Sequence, residues 1–287
     1  SVRSDSNTAA LGGVAYSAGP QPAASAALAA SFAGYVNGLG LKRADGSFLS
    51  DANLRATTQA LIQEEIQRQM AKGTAVPQLG ANFVTTRATV ANDWLTLAGS
   101  GSTATVSNID YAKFVKYVAP NQALKTVVAF DAVGVTGNKN ATTGAWNNSG
   151  ETNLFGTSTQ TYANFTEWTW LNNQVPGDGS GFDDVGGTWA QHLASSSNTL
   201  GKQLKQINPV AYLATTGSTP APYWYIRHGM VDRDTAFAMQ TLLYHAVLNN
   251  TAVKDVSFKY PYLVAHAGNY DVQEAFAWIK AKVAANP

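Results

Sequence analysis

The chain has 287 residues, with 19 Lys or Arg against 18 Asp or Glu and a formal net charge of +1. Hydrophobic residues make up 45% and charged residues only 13%, below the roughly 25% usual for soluble proteins. The near-neutral charge, with no basic stripe, argues against a nucleic-acid partner. The lack of cysteine excludes disulfides, thiolate catalysis and cysteine zinc sites, and no apolar run reaches the roughly 18 residues of a membrane-spanning helix. Asn, Thr, Ser, Ala and Gly fill the gap left by the missing charges, a surface commoner in exported proteins, so a secreted or periplasmic location is expected.

In chain order, residues 20–37 (PQPAASAALAASFAGYVN) read as an Ala-rich helix closed by Gly38 or Gly40. A firmer helix follows from Ser50 or Asp51 to Lys72-Gly73, with Leu54, Leu61, Ile62, Ile66 and Met70 on one face. Residues 109–119 (IDYAKFVKYVA) form a shorter amphipathic candidate. From 132 to 190 the texture turns to Gly, Asn, Thr and Ser studded with aromatics, which suits turns and short irregular pieces; Trp168 and Trp170 alternate there as on one face of a strand.

Regular patterning returns at Pro209. YWYIRHG (223–229) reads as a buried strand, 234–249 as a helix starting at Asp234 or Thr235, and DVSFKYPYLV (255–264) as a second strand. A last helix starts at Asp271, where Asp271 and Glu274 have capping-box spacing. Strand, helix, strand, helix with short joins is the grammar of a parallel α/β sheet.

Ligands of open α/β sheets bind beyond the carboxyl ends of the strands. Asp232 and Asp234 follow the first strand directly and His266 follows the second, so both can reach one rim. A carboxylate there would orient the imidazole and stabilise its protonated form, and the order acid-then-histidine is that of α/β-hydrolases. The competing structural reading has Asp234 cap the next helix and Arg227 or Arg233 pair with either carboxylate.

The segment INPVAYLATTGSTPAPYWYIRHGMVDRDTAFAMQ, with VSFKYPYLVAHAGNYDVQEAFAWI after it, resembles the C-terminal part of bacterial tannases, serine esterases of the α/β-hydrolase fold. Upstream, GYVNGLGLKRADGSF, DYAKFVKYVAPNQALKTVVAFDAVG and ETNLFGTSTQTYANFTEW resemble segments of that family's large lid domain. The resemblance is patchy, in order, and runs over most of the chain from about Tyr35. It implies a lid or cap domain over 1–208 and, over 209–287, the C-terminal piece of an α/β-hydrolase sheet. It also implies Asp232 as triad acid and His266 as general base. Asp234 would accept hydrogen bonds from the phenolic hydroxyls of a galloyl group, with Lys125 and Glu151 completing that cluster. The extra residues TGNKNATTGAWNN make Lys139 a rival to Lys125. Carboxylates flanked by an ammonium can grip vicinal hydroxyls and reject rings without them.

No G-x-S-x-G elbow occurs. AYSAG (15–19, with Ser17) and GTSTQ (156–160) are near misses, and GSGST and GDGSG read as flexible turns. The resemblance places the nucleophile and the first strands in a segment preceding this chain, so the expected partner is a second polypeptide from the same precursor, cleaved and still associated. No metal or cofactor is implied; His192, His228 and His245 have no metal spacing, and His228 reads as structural. The alternatives are a feruloyl or general aryl esterase on the same scaffold, or a non-catalytic surface or carbohydrate-binding protein using the Trp-rich middle.

Overall fold

The computed structural model describes residues 21–85, 89–118, 142, 154–155, 164–171, 186–195, 199–233, 235–266 and 268–285. Two compact units emerge, the first including Ala29–Gln122 and Leu213–Pro287, the second including Ala123–Tyr212. The core of the first unit draws on residues from both of these stretches.

In that unit, after helix α1 (Gln21–Gly38), helix α2 (Asp51–Ala71) buries Leu54, Thr58, Ile62, Glu65, Ile66 and Met70. Leu61 packs at the margin of the same cluster. Ser50, in extended conformation, is the N-cap residue, and its N–H donates to Asn53 Oδ1 at 2.9 Å. At the other end Gly73 takes a left-handed φ of 88° and donates to the Met70 carbonyl, a turn that only glycine adopts without strain.

Antiparallel pairs β1 (Asn82–Val84) with β2 (Thr89–Ala91), and β3 (Leu95–Ala98) with β4 (Thr105–Ile109), lead into helix α3 (Tyr111–Val118). Three glutamines at four-residue spacing on α2 reach the β4 segment. Gln59, Gln63 and Gln67 donate to the carbonyls of Ile109, Val106 and Ala104, and Gln67 Oε1 accepts from the Val106 N–H. The side-chain amides thus supply the partners that a neighbouring strand would give, and the strand edge is covered.

In the C-terminal segment of this unit, β5 (Tyr223–Arg227) and β6 (Asp255–Lys259) pair in parallel, in register from Tyr223 against Asp255 to Arg227 against Lys259. Between them runs a helix over Phe237–Asn249, and after them one over Val272–Ala284. The first begins later than expected, with Ala236 rather than Asp234 or Thr235 at its N-cap. The second has Asp271 as N-cap residue without a side-chain cap bond, because that carboxylate faces the strands instead. One buried cluster joins Ile62, Ile66, Phe83, Trp94, Phe114, Met230, Phe237 and Tyr260. Through it runs a hydrogen-bonded chain: Thr58 and Thr241 hydroxyls at 2.9 Å, Thr241 and Tyr260 hydroxyls at 2.8 Å, and Tyr260 donating to the Phe237 carbonyl at 2.8 Å.

Among the described residues of the second unit lie helices α4 (Glu167–Leu171), α5 (Trp189–Ala194) and α6 (Leu200–Gln206), with α7 (Pro209–Leu213) at its boundary. The helices over Phe237–Asn249 and Val272–Ala284 are therefore α8 and α9. Trp168 and Trp170, expected on a strand face, lie in α4, where the Trp170 N–H donates to the Thr166 carbonyl. Trp170 is fully buried and stacks on His192 at 3.9 Å, and burial pushes the proton affinity of His192 down. Among the described residues no helix is long and apolar enough to cross a membrane, and no cluster of His, Asp or Glu is arranged to hold a metal.

Replacing Thr241 with Val removes the hydroxyl that links Thr58 to Tyr260 while keeping the side-chain shape. With two buried hydroxyls deprived of a partner, Thr241→Val is expected to lower stability by about 1–3 kcal/mol in urea unfolding; an unchanged midpoint would show the chain of hydroxyls to be energetically idle.

Candidate active site

Parallel pairing in register carries the chain off both strands at the same end of the sheet. Beyond β5 come His228, Gly229, Met230, Val231 and Asp232; beyond β6 come Tyr260 to His266. The two loops do not diverge. The ladder continues as His228 N–H to Lys259 O at 3.3 Å, Met230 N–H to Pro261 O at 3.0 Å and Val231 N–H to Val264 O at 2.9 Å. Each loop also closes a turn of its own, Asp232 N–H to Gly229 O and Val264 N–H to Pro261 O.

Gly229 is where the backbones come closest. A Cβ there would lie 2.4 Å from the Val264 carbonyl oxygen and 2.7 Å from that of Ala265, neither of which can yield without moving the loop. Opposite it, Leu263 adopts φ 54°, a left-handed conformation costly for a non-glycine residue and held here by side-chain packing against the core. Met230 is fully buried and anchors the first loop in the same cluster.

This arrangement brings Asp232 and His266 together. His266 Nδ1 lies 3.1 Å from Oδ1 and 3.0 Å from Oδ2 of Asp232. The carboxylate is buried (side chain 7% exposed) and the imidazole is open (54%). A buried carboxylate must be hydrogen-bonded or it is prohibitively costly, and the imidazole supplies one such partner. With Nδ1 turned to the acid, Nε2 is the nitrogen positioned to exchange a proton with a substrate or nucleophile. His228, read from sequence as structural, lies on the same carboxylate, its Nε2 3.3 Å from Asp232 Oδ2. Asp234, Glu151, Lys125, Lys139 and Ser17 lie outside the described residues.

Of the two arginines that the sequence offers as partners for these acids, Arg227 is engaged elsewhere. The Arg227 side chain is covered and donates from Nε to Asp271 Oδ2 at 2.6 Å, from Nη2 to Glu274 Oε1 at 3.1 Å and from Nη1 to Ser257 O at 2.8 Å. Its guanidinium stacks on the Tyr225 ring, 3.7 Å from the centroid, and the Tyr225 hydroxyl donates to Asp271 at 2.7 Å. Burial, reinforced by that bond to Asp271, pushes the Tyr225 phenol well above its ordinary pKa. Lys259 also pairs with Glu274; although burial works against the charged carboxylate, this ammonium and Arg227 hold Glu274 below its usual range. The network ties the first turn of α9 to both strands, and so fixes the far end of the loop that carries His266. By their spacing alone Asp271 and Glu274 read as a helix cap.

No family model and no curated protein matches the chain. Solved structures of bacterial tannases do. A tannin acyl hydrolase from Lactobacillus plantarum superposes with a TM-score of 0.64 at 26% identity, covering 91% of this chain and 46% of that one. A tannin acyl hydrolase in complex with ethyl gallate gives 0.60 at 27% identity over the same shares. A tannase from Fusobacterium nucleatum gives 0.57 at 21% identity, again covering 91% and 46%, a likeness of fold alone. Tannases are carboxylic ester hydrolases, and the chain spans about half the length of those it resembles.

If the zipped loops hold the pair together, Gly229→Ala should drive them apart. The expected cost is about 1–3 kcal/mol of stability, together with loss of the Asp232–His266 contact in a crystal structure of the variant. A variant that keeps wild-type stability and the 3 Å contact would show that the close approach is dispensable.

Proposed function

We propose that this chain supplies the acid and the base of a serine esterase that hydrolyses esters of hydroxylated aromatic acids, galloyl esters in particular. The observation that carries the reading is the placement of a buried carboxylate on Nδ1 of an exposed imidazole, beyond the carboxyl ends of two parallel strands. On this reading β5, α8, β6 and α9 are the C-terminal part of an α/β-hydrolase sheet. His266 Nε2 takes the proton of a serine hydroxyl as it attacks the ester carbonyl, and then returns it to the leaving alcohol. Asp232 holds the ring in the required tautomer and stabilises the imidazolium. A water repeats the cycle to release the acid. The chemistry needs neither metal nor cofactor.

The serine is proposed to reside on a preceding segment of the same precursor, a second polypeptide that stays associated. Two features of the surface support such a partner. The described β5–β6 sheet has only two strands, fewer than a parallel sheet ordinarily needs for stability. Helix α9 exposes Val272, Phe276, Ile279 and Val283 along one stripe. Specificity is assigned to Asp234, Glu151 and Lys125, whose charges would bind the ring hydroxyls, and the sparsely charged composition supports export to the periplasm or medium.

A fluorophosphonate should label a co-purifying second polypeptide rather than this chain; a label on this chain would place the nucleophile here, Ser17 included. In the reassembled protein, His266→Ala and Asp232→Asn should each lower kcat on methyl gallate by about 10³-fold or more. Asp234→Asn should impair gallate esters and spare a plain aryl acetate. Equal loss on both substrates would remove Asp234 from ring recognition, and methyl gallate turnover unaffected by either triad substitution would sink the esterase reading.

A further inference from the structure

Arg227 ends β5, and its guanidinium makes five hydrogen bonds, one for each of its N–H groups. Nε donates to Asp271 Oδ2 at 2.6 Å, and Nη1 donates to the Ile226 and Ser257 carbonyls, both at 2.8 Å. Nη2 donates to Ser257 Oγ and to Glu274 Oε1, both at 3.1 Å. Only a guanidinium presents five donors in one rigid plane, and here all of that capacity is spent on β5, β6 and α9.

Its place in the chain gives this anchor a second role. Arg227 precedes Asp232 by five residues, and Asp271 follows His266 by five. The two short links are therefore joined at both ends, by Asp232 against His266 at 3.0 Å and by Arg227 against Asp271 at 2.6 Å. The backbone ladder ties the loops as far as Val264, which accepts from the Val231 N–H two residues before His266. On the far side of His266 the chain bends at Gly268, which takes φ 117°, and then reaches Asp271. The exposed imidazole sits between these two fixed points. An open ring on a short link goes where the ends of the link are held.

We infer that Arg227 is a positioning residue for His266: its bond to Asp271 closes this ring of contacts and holds the imidazole at the Asp232 carboxylate. The effect on turnover rests on the esterase reading; the effect on the imidazole does not.

Arg227→Lys keeps the positive charge but offers three donors from one nitrogen, so it cannot span both strands and both acids. Asp271→Ser keeps a favoured helix N-cap residue and removes the carboxylate, which separates holding His266 from starting α9. Long-range proton–nitrogen NMR on the full 15N-labelled chain reads the tautomer of His266, expected predominantly as Nδ1–H. Both variants should cut that population about twofold, with helix content by circular dichroism unchanged. A tautomer ratio that stays as it was in either folded variant overturns the inference.

In the reassembled enzyme, Arg227→Lys should lower kcat on methyl gallate about tenfold at unchanged KM, the response to a misplaced base. In a His266→Ala background the same substitution should change the residual rate by less than about twofold, because the group it positions is gone. An equal loss in both backgrounds, or a change confined to KM, would show that the arginine serves the fold alone. The two ideas fail separately: turnover that survives His266→Ala sinks the esterase reading, whereas the tautomer ratio judges the arginine by itself.

Discussion

The missing side chain at Gly229 is the constraint on which the candidate site depends. It lets the loop after β5 lie against the carbonyls of Val264 and Ala265, close enough for backbone bonds to extend the ladder past the strand ends. Loops normally scatter side chains over several ångströms of uncertainty, whereas these two behave as an extension of the sheet. Asp232 and His266 are thereby placed by backbone geometry, and the contact between them needs no long flexible side chain to find its partner.

What lies beneath and beside the loops stiffens the same arrangement. Met230 plugs the first loop into a core that α2 and the hairpin strands build with Trp94, Phe83 and Phe114. Arg227 draws α9 onto the sheet through Asp271 and Glu274. Because that arginine is nearly dry, each bond it makes is worth more than a surface pair, and each carboxylate it holds is drawn away from other duties. The candidate acid keeps the His266 imidazole against it.

Much of this could be read in the sequence, for identifiable reasons. The buried face of α2 followed from the 3.6-residue recurrence of Leu54, Ile62, Ile66 and Met70, and the parallel pair followed from alternating strand and helix texture with short joins. That Asp232 and His266 share a rim followed from topology alone. The side chains that answer to tertiary context were not legible. Asp271 and Glu274 have the spacing of a capping box, yet a buried guanidinium outcompetes the helix end for their charge. Trp168 and Trp170 alternate like a strand, yet Thr166 starts a helix turn there. Gln59, Gln63 and Gln67 look like a solvated helix face until β4 is placed beside them. The grouping of residues 29–122 with the C-terminal segment was equally invisible, since a core assembled across 100 residues or more leaves no local pattern.

The in-register pairing of β5 with β6 carries an implication for how the molecule acquires its site. Sliding one strand by a single residue would move its loop by about 3.3 Å and turn successive side chains to the opposite face. Glycine 229 would then no longer stand against Val264, and the imidazole would lose its carboxylate. The Asp232–His266 contact therefore reports strand alignment: a misaligned chain can be compact and helical and still lack it, so the fraction of molecules holding this contact after refolding measures fidelity rather than mere collapse.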